Sequence, residues 1–111
     1  MKGILNKRKA KRSIIRIKVF DTGNDDLIGT TIDLNATGML LVGPREFQLG
    51  DEVSVRLEHT YDPRKNIVIP AKLVWHMTSV KAGMFNSGFY FSNTTPEQTR
   101  FIEALIEELA M

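Results

Sequence analysis

A chain of 111 residues with 42% hydrophobic and 25% charged residues has the size and balance of one ordinary globular domain, which excludes fibrous, low-complexity and two-core architectures. It contains no cysteine, so disulfide frameworks, thiolate zinc sites and cysteine nucleophiles are excluded together, and a reducing, cytoplasmic setting is expected. The net charge of +2 hides an uneven split: residues 1–18 carry eight basic side chains and no acid, whereas the rest holds seven basic and 13 acidic ones. An anionic partner would meet the N-terminal end first.

Met1 to Lys7 has the charge of a signal peptide's first part, but no apolar stretch follows it, and export is not expected. No apolar run approaches the roughly 20 residues that cross a bilayer, so no membrane span is expected either. Residues 1–12 read as a flexible basic arm, followed by a single domain over 13–111. Ile15-Arg16-Ile17-Lys18-Val19 alternates apolar and charged residues, the pattern of a strand with one wet face. After the turn-forming Asp21 to Asp26, Ile28 to Ile32 reads as its neighbour, and Met39 to Val42 as a short strand stopped by Gly43-Pro44. Leu49-Gly50-Asp51 opens Val53 to Glu58, whose alternation turns Val53, Val55 and Leu57 inward. Ile67 to Trp75 contains Pro70, which predicts an edge or bulge there, and Gly88 to Phe91 supplies a sixth strand. Six short strands of this kind can close a small antiparallel barrel.

The period then changes. Thr95-Pro96-Glu97-Gln98 combines a capping-box spacing with proline at the first helical position, which predicts a helix over about 96–110. Phe101, Ile102, Leu105, Ile106 and Leu109 fall on one of its faces and are expected to pack on the barrel. The fold class is therefore all-β with one C-terminal helix.

No catalytic constellation is present. His59 and His76 form no i, i+4 pair, flank no nucleophile elbow and read as solvated strand residues; no phosphate loop occurs and no metal site is expected. Two segments carry binding chemistry instead. Arg8-Lys9-Ala10-Lys11-Arg12 places two planar guanidinium forks four residues apart, and such groups grip phosphate or a guanine O6/N7 edge with paired hydrogen bonds; a solvated basic tail has the same composition. Asp33-Leu34-Asn35-Ala36-Thr37-Gly38 offers a carboxylate that can accept from guanine N1 and N2, an amide, and a glycine that permits close approach; it is also an ordinary β-turn. Trp75, between apolar neighbours, reads as a packing residue.

Taken in order, Arg8-x-x-x-Arg12 and Asp33-x-Asn35-x-x-Gly38 resemble the PilZ domain family, whose signature pairs R-x-x-x-R with [D/N]-x-S-x-x-G. The resemblance extends to Leu49-Gly50-Asp51, Val74-Trp75, Gly88 to Phe91 and the closing helix, and so covers nearly the whole chain. It implies a six-stranded antiparallel, split β-barrel capped by one α-helix, and a non-enzymatic receptor for cyclic di-GMP, a bacterial second messenger with two guanines and two phosphates. It further implies that Arg8 and Arg12 hold the ligand from the arm while Asp33, Asn35 and Gly38 meet it on the barrel, with Lys9, Lys11 and Arg16 as secondary contacts. No cofactor is expected, and the partners implied are the dinucleotide and a protein effector in motility, adhesion or biofilm control. Arg12-Ser13-Ile14-Ile15-Arg16 satisfies R-x-x-x-R as well, but Arg16 belongs to the alternating strand. Asn35 stands where the family usually has serine, which motivates one alternative, a degenerate protein-binding PilZ-like domain; the eight basic side chains of residues 1–18 motivate a last one, a nucleic-acid binder using the arm.

Overall fold

The computed structural model describes residues 14–78 and 82–110. Six strands are present: β1 (Lys18–Asp21), β2 (Leu27–Asn35), β3 (Gly38–Gly43), β4 (Glu52–Glu58), β5 (Asn66–Thr78) and β6 (Phe85–Phe91). A helix, α1 (Pro96–Leu109), follows them. All pairings are antiparallel, and the strands close into a barrel in the order β1-β2-β3-β6-β5-β4. The fold expected from the sequence is thus observed; β2 to β6 run longer at one or both ends than the apolar runs that announced them, whereas β1 starts at Lys18 instead of Ile15.

Alternation sets the core. Val19, Leu34, Leu41, Val55, Leu57, Ile69, Leu73, Phe89 and Phe91 point inward and are buried, and α1 adds Ile102 and Leu105 by packing on β2 and β5. Each fully buried aliphatic side chain of this kind contributes about 1.5–3 kcal/mol relative to exposure. The helix starts as its sequence predicts: the Thr95 side chain accepts from the Gln98 N–H, and the Gln98 side chain accepts from the Thr95 N–H. Gln98 does more than cap, because its Nε2 donates to the Val68 carbonyl at 3.0 Å. That carbonyl lies on the part of β5 before residue 71, where pairing with β6 has not begun. Pro70 occupies the same stretch: it pairs with Ser54 of β4, while on its other side its carbonyl accepts from the Ser92 N–H. A proline that lacks a donor fits this half-open position, as the sequence suggested.

Ile15 and Ile17 are buried like strand residues, yet ladder pairing starts only at Lys18. Thr31 explains the difference. Its buried hydroxyl donates to the Ile15 carbonyl at 2.5 Å and accepts from the Ile17 N–H at 2.9 Å, so a side chain replaces part of the backbone ladder. The β1–β2 turn is fastened by ions: Arg45 meets Asp21 at 2.8 Å, and Arg56 meets Asp25 at 2.7 Å while lying over the Phe20 ring. Arg45, helped by the Gly23 N–H, holds the Asp21 carboxyl below the usual carboxylate range.

Candidate ligand groove

Two β-bulges shape the outer face of the barrel between β2 and β5. In β2 the register shifts between Thr31 and Asp33, so Ile32 and Asp33 together oppose Leu40. In β5 it shifts between Leu73 and Trp75, so Val74 and Trp75 together oppose Gly88. A bulge inserts one residue and re-aims the side chain that follows. Without the extra residue, simple alternation from buried Leu73 would turn Trp75 into the core; with it, Val74 and Trp75 both face outward, and Trp75 is 44% exposed.

The pairing register then aligns four strands in rows. Asp33 pairs with Leu40, Leu40 with Gly88 and Gly88 with Trp75, which makes one continuous row. The next row runs Asn35, Gly38, Tyr90, Lys72, and Tyr90 is 51% exposed. Between these rows lies an open groove of about 390 Å³ lined by Asp33, Asn35, Gly38, Trp75, Gly88 and Tyr90 together with Thr37, Met39, Leu40, Val74 and Phe89. One end thus carries a carboxylate and an amide, and the other two aromatic rings.

The expected barrel residues Asp33, Asn35 and Gly38 are therefore brought together. Asn35 has a structural duty as well: its Oδ1 accepts from the Thr37 N–H and hydroxyl, both at 2.8 Å, and from the Gly38 N–H at 3.0 Å. This is the Asx type of turn, and it leaves the Nδ2 hydrogens uncommitted among the described residues. Gly38 is required by space, since a Cβ there would lie 2.3 Å from the Phe89 carbonyl oxygen. Arg8, Lys9, Lys11 and Arg12, and with them the proposed arm over 1–12, lie outside the described residues. Arg16 does not line the groove; it borders two other depressions, one with Lys18, Thr30, His59 and Thr60 and one with Tyr61, Glu108 and Leu109.

The structure differs from the sequence expectation at Trp75 and His59. Trp75 is not a buried packing residue but an exposed groove wall, because the bulge turns it out. His59 is not solvated: it is 8% exposed, its Nδ1 accepts from the Tyr61 and Asp62 N–H groups, and its Nε2 donates to Glu108 Oε1 at 3.0 Å. His76 is exposed, as expected. Among the described residues no cluster of His, Asp or Glu could hold a metal ion, and no helix is long and apolar enough to cross a membrane.

Solved structures with the same fold can be set beside this geometry. The inhibitor of motility MotI/DgrA from Bacillus subtilis superposes with a TM-score of 0.72 at 14% identity, over 92% of this chain and 50% of that one. This chain therefore spans about half the length of that protein. The PilZ domain of YcgR from Escherichia coli, solved with cyclic di-GMP, gives a TM-score of 0.68 at 16% identity, covering 93% and 91% of the two chains. The PilZ domain of CeSA from a cellulose-synthesizing bacterium gives 0.53 at 16% identity over 92% and 96%. No curated protein sequence matches. At these identities the structures establish the fold alone. Membership rests on sequence: the PilZ domain family model matches residues 6–108, spanning both motifs, the six strands and the helix, and the chain belongs to the PilZ domain family.

Proposed function

We propose that this PilZ domain is a receptor for cyclic di-GMP that acts, without catalysis of its own, as an adaptor to a protein effector. The observation that carries the reading is the groove: a carboxylate able to accept from guanine N1 and N2 stands in one row with an exposed indole able to cover a base. Arg8 and Arg12 supply the positive charge that two phosphates need. Chain geometry supports their reaching it. The Ile15 carbonyl is bonded to Thr31, two residues from Asp33, so the first described residues lie toward the carboxylate end of the groove. Arg12 is two residues before Ile14, at most about 7 Å of backbone, and its own side chain adds further reach. Ordering the arm on the barrel loses conformational entropy, which charge-assisted hydrogen bonds offset. The absence of cysteine fits action in the cytoplasm, and the likeness to an inhibitor of motility makes motility the first process to examine.

A second reading, a protein-binding module that takes no dinucleotide, is favoured by the exposed apolar side chains of Val74, Trp75, Met77 and Tyr90 on this same face. Isothermal titration calorimetry separates the two. Cyclic di-GMP is expected to bind with measurable heat, and cyclic di-AMP at least about tenfold more weakly because Asp33 loses its donor partners. Arg12→Ala is expected to remove most of the binding while preserving the folded NMR spectrum. Neither heat nor chemical-shift change with cyclic di-GMP at low-micromolar protein rejects the receptor reading.

A further inference from the structure

Gly88 sits in the middle of β6, directly between Leu40 and Trp75 in the row that ends at Asp33. The usual reason for a glycine does not apply, since its φ lies outside the positive range seen at Gly29, Gly50 and Gly83. Nor does a backbone clash of the kind found at Gly38. A Cβ at position 88 would instead lie 3.3 Å from Trp75 Cε3, 3.4 Å from Trp75 Cβ and 3.6 Å from the Trp75 carbonyl oxygen. Its two nearest neighbours are thus atoms of one side chain, the indole that the Val74–Trp75 bulge has turned out of the wall. A glycine inside a strand weakens it and commonly marks close approach by another group. Here the approaching group is the Trp75 indole, which forms one wall of the groove.

We propose that Gly88 is a positioning residue: by having no side chain it lets the Trp75 indole lie down against the sheet at the height where it can cover a flat purine base whose edge meets Asp33. This rests on the receptor reading for the identity of the base, but the position of the indole does not. Both strands contribute one inserted residue to the same row, so indole and carboxylate share a floor made of Leu40 and Gly88. A methyl group at 88 raises that floor under one wall only. The indole must then give by a few tenths of an ångström, and a β-branched side chain forces more.

Trp75 is the sole tryptophan of the 111 residues, so the emission of this chain reports one site. Gly88→Ala and Gly88→Val are expected to shift ligand-free emission to longer wavelength and to increase acrylamide quenching, in that order of size. Stacking of a base on an aromatic ring corresponds to about 5- to 150-fold in affinity, so Gly88→Val should weaken cyclic di-GMP binding by about tenfold and Gly88→Ala by less. In a Trp75→Ala background neither change should weaken binding further, a coupling that a merely structural role would not produce. The Ala variant carries the same test should Gly88→Val fail to give a folded spectrum. Unchanged emission and quenching in a folded Gly88 variant, or the same loss of affinity with and without Trp75, overturns the proposal. If the unsubstituted protein takes no cyclic di-GMP, the receptor reading falls by itself, and the fluorescence comparison still decides whether Gly88 positions the indole.

Discussion

Replacing Thr31 by valine tests how the N-terminal segment is fastened to the barrel. Thr31 is fully buried, and its hydroxyl serves both the Ile15 carbonyl and the Ile17 N–H. Valine has nearly the same shape, so no cavity opens and the loss is one of hydrogen bonding alone. The backbone bond from the Thr31 N–H to the Ile17 carbonyl remains, while the Ile17 N–H and Ile15 carbonyl are left to find water in a buried place. A net hydrogen bond is worth about 1 kcal/mol, and an orphaned buried donor costs about 1–3 kcal/mol, so the substitution is expected to destabilise by about 2 kcal/mol or somewhat more. For a chain of this size that is about 8 °C in melting temperature. Urea unfolding with an unchanged slope measures it, and faster hydrogen exchange at Ile17 localises it. Thr31→Ser keeps the hydroxyl and removes only a methyl group, at a cost of about 1 kcal/mol. A loss below about 0.5 kcal/mol for Thr31→Val, or an equal loss for Thr31→Ser, refutes the assignment of the fastening to the hydroxyl.

Other expectations concern the frame around the groove. Thr95→Ala breaks the capping box and should lower unfolding stability by about 1 kcal/mol in a urea titration. His59→Leu removes the acceptor of the Tyr61 and Asp62 N–H groups and should cost about 1–3 kcal/mol, whereas Glu108→Gln, altering a half-exposed partner, should stay within about 1 kcal/mol of the parent in the same assay. Because Arg45 lowers the folded-state pKa of Asp21, this carboxylate stabilises the protein above the ordinary carboxylate range, and the contribution disappears as pH falls through the depressed folded value. Asp21→Asn should therefore show a smaller acid-induced loss of stability below about pH 4 than the parent, followed by unfolding at a series of pH values.

The sequence exposes whatever is local and periodic. Val53, Val55 and Leu57 turn inward as their alternation demands, Thr95 and Gln98 cap the helix they announce, and Pro70 sits on the half-open stretch. Even the burial of His59 was within reach, since it holds the next inward position after Leu57. The bulges were not. A bulge is a relation between two strands, one with two residues where its partner has one, and nothing in Ile32-Asp33 or Val74-Trp75 alone tells an inserted residue from a simple change of face. The apolar neighbours of Trp75 therefore make it read as a packing residue. The alignment of Asp33 with Trp75 depends on four strands meeting in register, which no motif spells out. For the same reason Asn35 was legible as a polar group at the site but not as the acceptor that holds the Ala36-Thr37 turn.

Closure of the barrel limits how this molecule can be heard by others. Proteins often capture a neighbour by hydrogen-bonding an extended segment onto the rim of its sheet, and that route needs a free row of amides and carbonyls. Each of the six strands here has neighbours on both flanks, and Gln98 covers the Val68 carbonyl where β5 outruns β6. Under the receptor reading, an effector that docks on the described strands would read side chains rather than main chain, on a surface whose shape a bound dinucleotide would alter. Such a docking mode depends on which residues are outward at a given moment, the kind of contact that a small ligand can switch on and off.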